Sequence, residues 1–138
     1  GEALWRMAGG ASPRARAYRG GIDLDFPLDR LLGEVQGYLD QGFQAAKIKV
    51  GRPALAEDLE RAREVRALLG PSRAFMVDAN YAWDADTAIR AGHGFRDLDL
   101  LWFEEPTEPG DWLAYARIAE ETGIPLAQGE HLHTAEEF

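Results

Sequence analysis

The sequence predicts an α/β fold built on a parallel sheet. Two observations lead there. Short apolar runs of strand length alternate with segments of helical length and period, in the order βαβαβαβαβ, a pattern that places helices outside a parallel sheet. The polar residues of the apolar runs gather at their C-terminal ends, where α/β folds hold their chemistry. A doubly wound sheet and a (β/α) barrel both fit. No glycine-rich phosphate fingerprint follows the first strand, which weakens the dinucleotide-binding version.

The expected strands are 16–19, 46–50, 74–78, 100–103 and 125–128. Between them, 27–40 carries the stripe Leu28, Leu31, Leu32, Val35 and Leu39, which gives one apolar face at helical period. The next helix, 53–69, opens on Pro53 and stops at Gly70-Pro71. Segment 85–95 reads as a weaker helix because Gly92 and Gly94 interrupt it, with Asp84 as its cap. Helix 112–122 closes on Gly123; Glu108 and Asp111 suit its positive end. Trp83 reads as core. Arg61, Arg63 and Arg66 read as solvated charge on an outer helix face.

At 138 residues with 46% apolar and 28% charged residues, the chain suits one globular domain. A formal net charge of −9 argues against nucleic-acid or anionic-membrane partners, which need clustered positive charge. The absence of cysteine excludes disulfides and thiolate metal sites. No apolar run approaches the roughly 18 residues of a membrane span, and the N-terminal segment lacks a signal-peptide core. A cytoplasmic protein is the expectation.

The second expected strand ends in Lys47-Ile48-Lys49. Two residues apart on a strand, both lysines point to one face, and such a pair is costly unless something anionic meets it. The later strands supply acids. Asp78-Ala79-Asn80 ends the third, Glu104-Glu105-Pro106 the fourth and Gly129-Glu130-His131 the fifth. Asp78, Glu104 and Glu130 recur at intervals of 26 residues, one βα module. On neighbouring strands about 4.8 Å apart, three carboxylates at one height converge and call for a divalent cation. All-oxygen ligation favours Mg²⁺ or Mn²⁺ over zinc.

Lys-x-Lys, Asp-Ala-Asn, Trp-Phe-Glu-Glu-Pro and Gly-Glu-His on successive strands resemble the enolase superfamily, in particular its mandelate racemase/muconate lactonizing enzyme-like members of the acid-sugar dehydratase type. The likeness extends to the Ala-Gly-Gly and Ala-Tyr-Arg-Gly-Gly segments near the start. It implies a partial TIM-type (β/α) barrel, about five βα units of a (β/α)₇β barrel. Residues 1–14 would lead in from a capping domain, and 15–138 would be the N-terminal part of the barrel. It further implies Mg²⁺ held by Asp78, Glu104 and Glu130, Lys49 as general base, and Lys47 with Asn80 on the substrate carboxylate. A Lys base working beside Mg²⁺ is an established property of that superfamily. A lysine base must be neutral to act, and an ammonium at position 47 works against its charging.

The implied reaction is removal of the proton α to a carboxylate through an enediolate. Dehydration of a sugar acid leads; a racemase, epimerase or cycloisomerase uses the same step. The barrel's remaining strands would supply the second acid/base, so the 138-residue chain alone is expected to be inactive, and a fragment that only binds metal or a partner is the competing class. Partners are then a small-molecule carboxylate and further copies of the chain in a homo-oligomer. His131, beside Glu130, is a substrate-contact candidate; His133 and His93 read as structural. Glu105 reads as a supporting residue, Tyr81 as a pocket wall, and Arg19 as a possible anion contact.

Overall fold

The computed structural model describes residues 1–137. Five strands form one sheet in the order β1-β2-β3-β4-β5, every neighbouring pair parallel. The strands are β1 (Arg19–Gly20), β2 (Ala45–Lys49), β3 (Ala74–Asp78), β4 (Trp102–Glu104) and β5 (Leu126–Ala127). A doubly wound sheet reverses its strand order at the site. Strictly sequential order is what a barrel requires, and it decides between the two architectures.

Helices α2 (Leu28–Asp40), α3 (Leu55–Leu69), α4 (Ala85–Phe95) and α5 (Trp112–Thr122) connect the strands. A short α1 (Leu4–Met7) precedes them. Asp84 Oδ1 accepts from Thr87 N at 2.7 Å, so the expected cap forms, and Asp111, expected only as a charge at the helix start, also caps α5 by accepting from Ala114 N at 3.0 Å. The two glycines that weaken α4 in isolation serve its packing. A Cβ on Gly94 would meet Leu59 Cδ2 of α3 at 2.5 Å, and one on Gly92 would collide with Thr122 of α5. No helix among the described residues is long and apolar enough to cross a membrane.

Four strands differ from their expected bounds, the second only by one residue, Ala45–Lys49 instead of 46–50. The first is Arg19–Gly20 instead of 16–19. The fourth starts at Trp102, because a 3-10 turn over Arg96–Leu98 and a left-handed Asp99 (φ 47°) hold the chain out of the ladder until Leu101. The fifth shrinks to Leu126–Ala127; Pro125 has no N–H to give the sheet.

The sheet has two unlike faces. Ala46, Ile48, Val50, Phe75, Val77 and Phe103 are buried against the helices, where they meet Leu31, Val35, Val65, Leu69, Phe95 and Ile118. Phe103 stands edge-on to Phe95 and Trp83, with ring centroids 5.8 and 5.9 Å apart. The opposite, inner face carries Lys47, Lys49, Asp78, Trp102 and Glu104.

Two of the three arginines expected to be solvated are not. Arg61 is only 3% exposed. It donates to the carbonyls of Phe26 and Asp23 and faces the Asp23 carboxylate at 3.4 Å. Arg66 donates to the carbonyls of Leu98, Gly70, Arg73 and Asp99. Only Arg63 lies in solvent. A guanidinium's five donors let it satisfy several loop carbonyls at once, and a charge count along the sequence does not register that use.

Candidate active site

Register places the polar residues. Lys49 is opposite Asp78 and Asp78 opposite Glu104. In-register neighbours of a parallel sheet point to the same face, so these three side chains line the inner face at its C-terminal edge. Lys47 lies one inward-facing position lower.

The side chains close into a compact charged array. Lys47 Nζ sits 2.6 Å from Glu104 Oε1 and 3.0 Å from Asp78 Oδ2. Lys49 Nζ is 2.8 Å from the same Asp78 oxygen and 2.6 Å from Asn80 Oδ1. Trp102 Nε1 donates to Glu104 Oε2 at 2.8 Å, and Lys47 also lies over the Tyr18 ring. Burial pushes the Asp78 carboxyl up, but hydrogen bonds from Lys49 and Lys47 outweigh it and hold Asp78 below the ordinary carboxylate range. For Lys47 burial opposes the charge, yet the bonds to Glu104 and Asp78 hold its ammonium above the usual lysine range. Lys47 is therefore firmly cationic.

Glu130 stands apart from this array. The residue opposite Glu104 on β5 is Ala127, so Glu130 lies three positions past that height. The equal sequence interval implied one height on neighbouring strands; instead β5 ends early and Gly129 (φ 126°) turns the chain into a loop. Glu130 remains connected to the array. Asn80 Nδ2 donates to Glu130 Oε1 at 3.2 Å while its Oδ1 holds Lys49, and Glu104 and Glu130 line one cavity of about 170 Å³ with Trp102, Glu105, Ala127 and Gln128. A larger groove of about 920 Å³ lies toward the N-terminal ends of the strands, between Tyr18, Ala45, Met76 and Leu101; no carboxylate lines it.

The donor set suits a hard dication. Asp78 and Glu104 already direct oxygens at one shared ammonium, so their geometry admits a common cation, and a third carboxylate is joined to them through Asn80. All three offer oxygen only.

Other residues depart from the sequence reading or were missed by it. The Arg19 guanidinium lies near the Tyr38 and Phe43 rings, on the helix side, and does not reach the array. Asp23 accepts from the backbone N–H of Lys49 at 2.9 Å and so fixes the end of β2 from behind; it follows β1 in a loop with no motif to mark it. Trp102 could have been found, since it stands two residues before Glu104 on the same face. Glu105 is buried with a left-handed backbone (φ 42°), its Oε1 accepting from Gly129 N at 3.4 Å. His131 packs edge-on against Tyr81 at 4.9 Å between ring centroids, its Nε2 lying 3.5 Å from both Glu105 Oε2 and Glu130 Oε1. His133 uses its backbone N–H to bond Glu137.

Residues 30–138 match the family described as Enolase C-terminal domain-like. The chain is 47% identical over 135 residues to the 3,6-anhydro-alpha-L-galactonate cycloisomerase of Streptomyces coelicolor, covering 98% of this chain and 37% of that protein. It is 41% identical over 109 residues to the L-talarate/galactarate dehydratase of Salmonella typhimurium, covering 79% and 27%. Among solved structures it is similar to a racemase from Streptomyces coelicolor A3(2) with bound magnesium, at TM-score 0.93 and 46% identity over 97% of this chain and 40% of that one. It is also similar to the L-talarate dehydratase from Polaromonas sp. JS666 complexed with Mg and L-glucarate, at TM-score 0.89 and 35% identity over 97% and 38%. The chain thus spans about a third of the length of the curated relatives it matches.

Proposed function

The chain belongs to the enolase C-terminal domain-like family, and we propose that it is the base- and metal-bearing part of a longer enzyme that removes the proton α to a sugar-acid carboxylate. The observation that carries this reading is the array itself. A lysine poised as base stands 2.8 Å from Asp78, while a second, firmly charged lysine shares that carboxylate with Glu104.

Asp78, Glu104 and Glu130 are the residues that would hold Mg²⁺. Bound there, the ion would polarise the substrate carboxylate and stabilise the negative charge that builds on it. Lys47 contributes a fixed ammonium to the same carboxylate. Lys49 takes the α-proton on Nζ. Asn80 orients Lys49 through its amide oxygen and Glu130 through its amide nitrogen, which couples the base to the third carboxylate. Asp23 holds the Lys49 backbone, so the base keeps its place when its side chain loses its ionic partner. His131 is placed to touch the substrate from the rim.

Loss of a β-hydroxyl after proton removal makes the enzyme a dehydratase of sugar acids. A second reading rests on the 47% identity to a 3,6-anhydro-galactonate cycloisomerase. In a 3,6-anhydro sugar acid the ether oxygen on C3 is β to the carboxylate. The same proton removal then expels an alkoxide and opens the ring, so one elimination covers both outcomes. Return of the proton to the other face would give a racemase or epimerase.

The test is to incubate the full-length enzyme and Mg²⁺ with galactarate and with 3,6-anhydro-galactonate in deuterated water, followed by NMR. Elimination products requiring Mg²⁺ are expected, and the productive substrate identifies the leaving group. α-Deuteration without elimination would indicate a racemase or epimerase. No exchange at the α-carbon of any sugar acid would refute the proposal.

A further inference from the structure

We propose that Glu105, Glu130 and His131 form a second cation site, beside the Mg²⁺ position, for a borderline divalent metal such as Zn²⁺. One donor atom from each residue lies within 4.8 Å of the other two. His131 Nε2 is 3.5 Å from Glu105 Oε2 and 3.5 Å from Glu130 Oε1. That separation is long for an N–H···O hydrogen bond, whose usual length is about 2.9 Å. It is the separation that shared ligation produces: two donors about 2.1 Å from one metal, at a tetrahedral angle, stand about 3.4 Å apart.

A second observation points to the same place. Glu105 Oε2 is buried and lacks a hydrogen-bond partner, and the Glu105 side chain is only 2% exposed. A buried carboxylate oxygen left without a partner is costly, and here it faces the other two donors. Its neighbouring oxygen is tied to Gly129 N, and the left-handed backbone at Glu105 turns the side chain under the strand-5 loop. The Tyr81 ring edge against His131 restrains the imidazole. Glu130 and His131 are half-exposed at the rim, which gives an ion a path in.

The donor chemistry separates the two sites. Asp78, Glu104 and Glu130 offer only oxygen, which suits Mg²⁺. Two carboxylates and an imidazole favour zinc-class metals. Glu130 belongs to both sets; only that shared membership rests on the function proposed above, and Glu105 and His131 stand independently of it.

Metal titration by calorimetry on the full-length enzyme, with Zn²⁺ in the presence and absence of excess Mg²⁺, tests this. One equivalent of Zn²⁺ is expected to bind despite Mg²⁺, and Co²⁺ in its place should give a visible spectrum with nitrogen ligation. His131→Ala and Glu105→Gln should each weaken Zn²⁺ about tenfold or more and leave Mg²⁺ affinity unchanged. Asp78→Asn should do the reverse. His131 is exposed, so its variant keeps the test decisive if Glu105→Gln fails to fold. Zn²⁺ binding without Mg²⁺ binding would support this site while counting against the proposed Mg²⁺ triad. Displacement of Zn²⁺ by equimolar Mg²⁺, Zn²⁺ affinity untouched by His131→Ala, loss of Zn²⁺ in Asp78→Asn, or no Zn²⁺ binding at all would overturn it.

Discussion

Strand β2 separates two charged clusters of similar composition and opposite use. On the inner face, Lys47 and Lys49 meet Asp78 and Glu104, side chain to side chain. On the helix side, Arg52 and Arg61 lie among Asp23 and Asp58, but there the bonds run mostly to backbone. Arg61 donates to the carbonyls of Phe26 and Asp23. Arg52 donates to those of Leu24 and Phe26. Asp58 accepts from the N–H groups of Gly51 and Arg52 at 2.9 and 2.8 Å. The clusters meet at Lys49, whose side chain belongs to the first while its N–H is held by Asp23 of the second. Charges that satisfy loop backbone cannot leave without unravelling the loops. Charges satisfied mainly by other side chains, as here with one backbone bond from Asn80 N to Asp78, can give up a lysine for a substrate or a carboxylate for a metal.

The largest expected effect on folding follows directly. Arg61→Ala leaves the Asp23 carboxylate buried without its cation and takes one donor each from the Phe26 and Asp23 carbonyls, which then rely on Arg52 and Phe26 N alone. A loss of about 3–5 kcal/mol is expected, measured as a fall in the urea midpoint. A loss below about 1 kcal/mol would mean that this cluster is as dispensable as a surface pair.

Next is a pH effect. Burial, opposed in part by the Lys49 N–H and Arg61, pushes the Asp23 carboxyl from 3.8 up to about 6. The folded chain therefore holds this proton more tightly than the unfolded one. The stabilisation is complete below about pH 4 and is lost as pH rises through 6, a change on the order of 3 kcal/mol at about 1.4 kcal/mol per pH unit. Subtracting the stability–pH curve of Asp23→Asn from that of the native chain should isolate this decline, and parallel curves would refute it.

The smallest effect on folding belongs to the inner cluster. Lys47→Met leaves Asp78 bonded to Lys49 and Glu104 bonded to Trp102. A cost of roughly 1–2 kcal/mol is expected, well below that of Arg61→Ala. Equal costs in the same urea assay would erase the distinction between exchangeable and fixed charge.

What the sequence disclosed follows the same division. Lys47, Lys49, Asp78 and Glu104 were legible because they sit on strands, where a period of two and a module of 26 residues determine face and height. The parallel sheet with outer helices was legible from the alternation of apolar runs; the choice of a barrel came from the family resemblance, and the sequential strand order bears it out. Glu130 was legible as a residue and misjudged in position, since its height depends on where β5 ends and how Gly129 turns. Asp23, the buried Arg61 and the unpartnered Glu105 oxygen left no periodic trace. Their roles come from loops folding over one another, which spacing along one chain does not encode.

In the proposed mechanism Lys49 is the base, and Asp78, Glu104 and Glu130 hold the metal without it. Lys49→Ala in the full-length enzyme tests this most directly, by NMR of α-proton exchange in deuterated water alongside Mg²⁺ affinity. The prediction is loss of exchange at the α-proton that Lys49 faces, with Mg²⁺ affinity within a few-fold of the native enzyme. Full exchange and turnover in that variant would contradict the assignment.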